Sequence, residues 1–528
     1  MPSNPWSIGA ALLGFLHLSC AAASTTQSVG ETSFENSGAP AAQAEFARGL
    51  AQLHNFEYDD AAAHFRQAQA IDAAFAMAYW GEAMTKNHPV WHEQDREAGR
   101  EALKRLGTTA DDRAAKAKTD REKLYLRAVE ILYGDGTKAN RDQEYEAAME
   151  GLHTRYPNDV DAASFYALSL LGSAEHGRDF AIYMRAAAVL EEVFPSHRTH
   201  PGVVHYLIHC YDDAVHAPLG LRAARIYSQI APDAGHAQHM TSHIFLALGM
   251  WDEVIKANET AMGVVNQRRA ALGKAPWSCG HYGEWLEYAY LQRGRTEDAR
   301  ALLIKCREQV GQEVVDSTRP GAAKKGDKSM AESFTRMRTD FLINSQLWGD
   351  AAATWSFPGL ADQIDSQLTF DFATALSKLK QHDAHAQEAV ARFEDTRQKF
   401  VIWNAKQESP DESADKRSEI LGGELEALLE ESRGRQAKAI DRLRKLAVQE
   451  HALPVEFGPP FVNKPVDELL GEILLEQHEL GGAHRAFSAA LAAAPGRKVA
   501  TAGLEASRGS ASGSVANEAP DASKAAHH

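Results

Sequence analysis

The 528-residue chain carries 56 Lys+Arg against 72 Asp+Glu, a formal charge of −16, and is 44% hydrophobic and 8% aromatic. That acidic balance argues against nucleic acid as a partner, because phosphate binding needs clustered cations, and the apolar content excludes wholesale disorder. The sequence has no phosphate-cradling Gly-rich loop, dinucleotide fingerprint, G-x-S-x-G elbow, C-x-x-C or C-x-x-C-H, which removes nucleotide kinases, dehydrogenases, common esterases, thioredoxin-like proteins and attached c-type haem.

Residues 8–18, IGAALLGFLHL, form an apolar run followed by SCAAAS. The run has the length of a signal-peptide core and is too short to span a bilayer. Cleavage near Ala23 makes residues 1–23 a leader; a lipid anchor on Cys20 is the alternative, since LHLSC loosely resembles a lipobox. The chain thus reads as exported: periplasmic, anchored at the outer membrane, or secreted, although MPSNPWS lacks the usual cation. No other stretch has the ~18 uninterrupted apolar residues of a membrane helix. Residues 24–41 read as a flexible lead-in.

Beyond residue 42 a small–x3–large–x2–small spacing recurs on helical stretches. Ala61, Phe65 and Ala68 carry it, as do Ala299, Leu303 and Cys306 after Gly294, and Ala439, Leu443 and Leu446 after Gly434. Gly220/Ala224/Tyr227 and Val254/Asn258/Ala261 are degenerate versions. The clearest copy is PVDELLGEILLEQHELGGAHRAFSAALAAAPGR, residues 465–497, where Ala483, Phe487 and Ala490 follow the Gly481-Gly482 turn and Pro495 ends the helix. The pattern resembles the tetratricopeptide repeat (TPR), a helix-turn-helix unit of 34 residues. The resemblance implies an all-α, right-handed superhelical solenoid over residues 42–500, with the first helix of each unit lining a concave groove. FAMAYWGEAM, HYLIHCYDD, HAQHMTSHIFLALGMWDEVI and GPPFVNKPVDELLGEILLE further resemble a group of exported bacterial TPR proteins. That likeness implies fold and export, and no reaction.

Several stretches interrupt the period. Residues 86–120 break it, residues 262–280 lengthen one helix, and DSTRPGAAKKGDK and AKQESPDESADKR read as exposed loops. From Thr501 the Ala-, Ser- and Gly-rich chain reads as a disordered tail. Cys210, Cys279 and Cys306 allow one bridge in an oxidising compartment, with the pair undetermined.

HYLIHC and HMTSH place His205/His209 and His239/His243 one helical turn apart, and each residue of the second pair follows its counterpart by 34 (205 to 239, 209 to 243). On successive first helices the four imidazoles can converge on one transition-metal ion (Zn, Cu or Fe), with Nε2–metal bonds near 2.0–2.1 Å; the alternatives are a metal-free groove that binds a peptide or anionic small molecule through imidazole N–H groups, and plain packing. The next unit offers His281, Glu284 and Tyr288, with His281 or Glu284 as a further ligand or acid–base group and Tyr288 in the groove. Other units carry Glu468/Glu472, Glu424/Leu428 or Phe46/Leu50 at the equivalent places, so the histidines belong to the middle of the array alone. Neither pair is an H-E-x-x-H motif. A second cluster, Trp80, Glu82, His88 and Trp91, reads either as the rim of a ligand groove or as plain core. Asp212 and Asp213 read as a turn, with support of His209 as the alternative. Two functions follow: a groove that binds a protein, peptide or small ligand, and a metalloprotein with or without catalysis. No cofactor beyond the metal is implied.

Overall fold

Helices with one apolar stripe, joined by turns in which Gly249, Gly294 and Gly434 take φ of +68°, +71° and +74°, build an all-α solenoid. The computed structural model describes residues 28–174, 177–317, 330–407 and 410–508. The leader with Cys20, most of the DSTRPGAAKKGDK loop and the chain beyond Arg508 lie outside the described residues. Among the described residues there are 23 α-helices, and the one sheet is a two-residue pairing of Asn87–His88 with Glu93–Gln94. Successive helices pack as hairpins, among them Gln43–His54 with Tyr58–Ile71, Pro201–Cys210 with Ala217–Ile230, Gly235–Ala247 with Trp251–Ala271, and Val466–Glu476 with Leu480–Ala493. The small and large residues of the repeat spacing lie in the seams between them: Ala61, Phe65, Ala68, Ala483, Phe487 and Ala490 are all buried. Gly471 is needed there, because a Cβ would stand 2.8 Å from the Phe487 ring.

The array closes on itself. After the last hairpin, Gly496 O accepts from Trp251 Nε1 at 2.8 Å and Lys498 N donates to Gln292 Oε1 at 2.8 Å. At the other end, Tyr227 donates to Asn55 Oδ1 at 2.8 Å, and Arg268 pairs with Glu57 at 2.9 Å and Asp60 at 3.0 Å. The first repeat is thereby held against helices about 170–210 residues downstream. Every residue of Pro201–Cys210 and of Gly235–Ala247 is buried. At these repeats the inner side is filled by protein, where an open groove was expected.

Three local expectations change. Residues 28–39 run along the array with Val29 and Phe34 buried and Ser28 N donating to Asp233 at 2.7 Å. The helix Lys498–Ser507 extends into the stretch expected to be tail, because Ala500 and Gly503 pack into the last hairpin. The helix Glu412–Ser432 starts inside AKQESPDESADKR, capped by Asp411. Cys279 and Cys306 form a disulfide, while the Cys210 thiol is free and buried, its pKa pushed up by that burial. No described helix is long and apolar enough to cross a membrane.

Candidate metal centre

The two histidine pairs lie on neighbouring inner helices. In Pro201–Cys210, Pro201 sits in the first turn and the His200 side chain caps Val203 N. His205 and His209 then stand one turn apart, with their Nε2 atoms 3.1 Å from each other. In Gly235–Ala247, His239 and His243 repeat the arrangement, again 3.1 Å apart. With Nε2–metal bonds of 2.0–2.1 Å, that separation corresponds to an N–metal–N angle of about 98°. Each pair has its own third histidine. His236 joins His205 and His209, and His281 joins His239 and His243, with one ligand atom per residue all within 4.8 Å in each group. The trios adjoin: ring centroids of His209 and His243 are 6.0 Å apart, and those of His236 and His239 6.2 Å. Four histidines on one ion were expected; six in two groups of three are found.

The outer ring atoms decide which nitrogens face inward. His243 Nδ1 donates to the Asp212 carboxylate at 2.5 Å, both groups being buried. His239 Nδ1 donates to Asn258 Oδ1 at 2.6 Å, and the Asn258 amide is oriented by its own donation to Val254 O at 2.9 Å. With Nδ1 of both rings turned outward to these acceptors, the two Nε2 atoms face each other across 3.1 Å. A metal ion shared by the two nitrogens would satisfy that contact, and so would one proton held between them. Burial pushes the His239 pKa well below its usual value, which disfavours a proton in that role. His205 likewise donates Nδ1–H to His54 O at 2.6 Å, so its Nε2 also presents a lone pair, and burial lowers its pKa to about 3. His236 Nε2 is buried without a hydrogen-bond partner, and burial holds His209 and His236 well below the ordinary range. Aromatic rings close the centre. Phe56, at φ +57°, packs 4.4 Å from His205 and 5.5 Å from His236, while Trp285 and Phe457 lie 4.4 Å and 5.3 Å from His243.

A third buried group, His54, Asp161 and His200, has metal-like spacing but a different proton logic. His54 Nδ1 accepts from the Tyr206 hydroxyl at 3.0 Å and its Nε2 donates to Asp161 at 2.9 Å. His200 Nδ1 accepts from Val203 N, which leaves Nε2–H facing Asp161 at 3.3 Å. The two rings hold the Asp161 carboxylate ionised, its pKa below the usual range against the opposing pull of burial. Asp161 Oδ2 and His200 Nε2 are buried without a hydrogen-bond partner, and the group positions the His54 carbonyl beneath His205. Gly202 makes room for it, since a Cβ there would sit 2.3 Å from His54 Nδ1.

Several proposed site residues lie elsewhere. Glu284 turns to Arg336 on the helix Met330–Ser345 at 3.7 Å and is not part of either trio, so only His281 of the proposed acid–base pair reaches the centre. Tyr288 is buried and accepts from Arg497 at 2.9 Å, a contact that ties the C-terminal turn to the array. Trp80 is core, its ring 5.5 Å from that of Phe34. Glu82 is buried on Gln69, Arg66 and Arg105. His88 stacks on Tyr58 at 4.0 Å. Trp91 alone of that cluster approaches the centre, 6.1 Å from His236. Asp212 supports His243 rather than His209, whereas Asp213 pairs with Arg178 and caps the turn. His236 was overlooked although H-x2-H-x3-H already puts His236, His239 and His243 on one helical side. His54, Asp161, His200 and Asn258 left no local signal.

No family model and no curated protein matches the chain. Among solved structures, a human IFIT1 dimer with m7Gppp-AAAA matches at TM-score 0.35 and 14% identity, covering 82% of this chain and 89% of that one. A human IFIT1 dimer with PPP-AAAA gives TM-score 0.34 and 13% identity over 87% and 94%. These likenesses are too distant to bring any function to this chain.

Proposed function

We propose that the chain is a transition-metal protein whose centre is a pair of adjacent ions, one held by His205, His209 and His236, the other by His239, His243 and His281. The observation that carries this reading is the pair of Nε2 atoms of His239 and His243, fixed face to face at 3.1 Å by Asn258 and Asp212, with His281 in reach of both. Imidazole-only donor sets suit copper, zinc or iron, and the affinity order of divalent ions on nitrogen ligands favours copper. Three protein ligands leave a coordination position open at each ion, the pattern of sites that act on a substrate. The leader-like N-terminus and the Cys279–Cys306 bridge support a mature chain outside the cytoplasm.

The test is elemental analysis of protein purified without a histidine tag and dialysed against Cu²⁺ or Zn²⁺. Two equivalents per chain are expected, falling by one in His239→Ala/His243→Ala and by one in His205→Ala/His209→Ala. A folded wild-type protein that retains no metal refutes the proposal.

A further inference from the structure

A cavity of about 540 Å³, within the size range of small-molecule sites, lies behind residues that flank the second trio, whose three histidines do not line it. Asp212, which orients His243, forms part of its wall, and so does Phe457, whose ring lies 5.3 Å from that of His243. The body of the wall is apolar, including Leu246, Trp251, Val455 and the small residues at 489–495. The charged residues on it are already engaged. Asp213 pairs with Arg178, Arg417 with Glu456 and Asp411, and His451 with Asp467. Glu450 accepts from Val466 N at 2.8 Å, and burial pushes its pKa up to about 7. A charged guest would lose its hydration and find no free counter-charge.

We infer that this cavity is the substrate chamber of the His239/His243/His281 site and takes a neutral, predominantly apolar small molecule, with Phe457 standing between guest and metal. The inference rests on the metal reading above. It is tested on full-length protein loaded with Co²⁺, whose visible absorption reports on the coordination shell, using neutral phenylnaphthylamine as probe and anilinonaphthalene sulfonate as its anionic counterpart. The expected result is saturable enhancement of the neutral probe's fluorescence, binding of the sulfonate about tenfold or more weaker, and a shift of the cobalt band as the neutral probe binds. Ala494→Trp, which fills the wall, should weaken the probe by about tenfold or more. Ala493→Trp, at an exposed position of the same wall, serves if Ala494→Trp does not fold. Unsaturable binding, indifference to both tryptophan variants, equal binding of the sulfonate, or a bound probe with an unmoved cobalt band overturns the inference. Absence of cobalt uptake is seen before any probe is added; it defeats the metal reading itself, and the chamber assignment with it.

Discussion

Replacing Asp212 by Asn tests how the centre is held. The two side chains are nearly isosteric, so packing is preserved while the charge on a buried 2.5 Å hydrogen bond to His243 is removed. Asn can also turn its amide toward Nδ1, which moves the ring proton to Nε2 and points a donor where a lone pair is required. Loss of such an outer partner weakens metal binding by about 10–100-fold, or about 1.4–2.7 kcal/mol. Both groups are almost fully buried, 2% and 3% exposed, so water cannot substitute for the lost charge. The assay is a competition titration of metal-free protein against a chromophoric chelator, resolved into two binding events. One event should weaken by that factor and the other should hold, since His205, His209 and His236 have no contact with Asp212 in the hydrogen-bond pattern. Unchanged affinity at both ions would refute the reasoning, and so would an equal loss at both.

The metal-free protein should lose stability as pH falls below 6.5. His54, His205, His209, His236 and His239 all have pKa values lowered by burial, His205 to about 3. Between 6.5 and those values the unfolded chain binds more protons, so each residue costs up to about 1.4 kcal/mol per pH unit; urea unfolding at pH 7 and pH 5 checks this, and equal midpoints would contradict it. Asp161→Ala should leave two metal equivalents in place while lowering stability by about 1.5–3 kcal/mol, as expected when a buried ring N–H loses its charged acceptor. Loss of one equivalent from a folded Asp161→Ala protein would make that group a metal site. Glu284→Gln should change neither metal content nor affinity, because its partner is Arg336. Cys279→Ser/Cys306→Ser should cost about 3–4 kcal/mol from the 27-residue separation it releases, read as a lowered unfolding midpoint.

The repeat architecture was legible because Ala61/Phe65/Ala68 and Ala483/Phe487/Ala490 report a helix seam that depends only on local spacing. The histidine pairs were legible for the same reason: their 34-residue offset is a property of the chain, and it put them on adjacent helices. What local spacing does not contain is the closure of the array. Residues 54–57 reach His205 and His236 across some 150 or more residues, and the loop bearing Phe457 reaches His243 across more than 200. Those contacts turn an expected groove into a buried centre and split four ligands into two trios. Trp80, Glu82 and Tyr288 were misplaced because an unusual side chain in a short span says nothing about which way its helix turns; each has a partner on a distant element, Phe34, Arg105 and Arg497.

The central claim is that two ions sit side by side, each on three imidazoles. Anomalous diffraction from crystals of tag-free protein, recorded on both sides of the absorption edge of the bound metal, tests it most directly. The account predicts two peaks per chain, one about 2.0–2.1 Å from Nε2 of His205, His209 and His236 and the other equally near His239, His243 and His281. A single peak shared by four histidines, a peak at His54, Asp161 and His200, or no peak in metal-soaked crystals would contradict it.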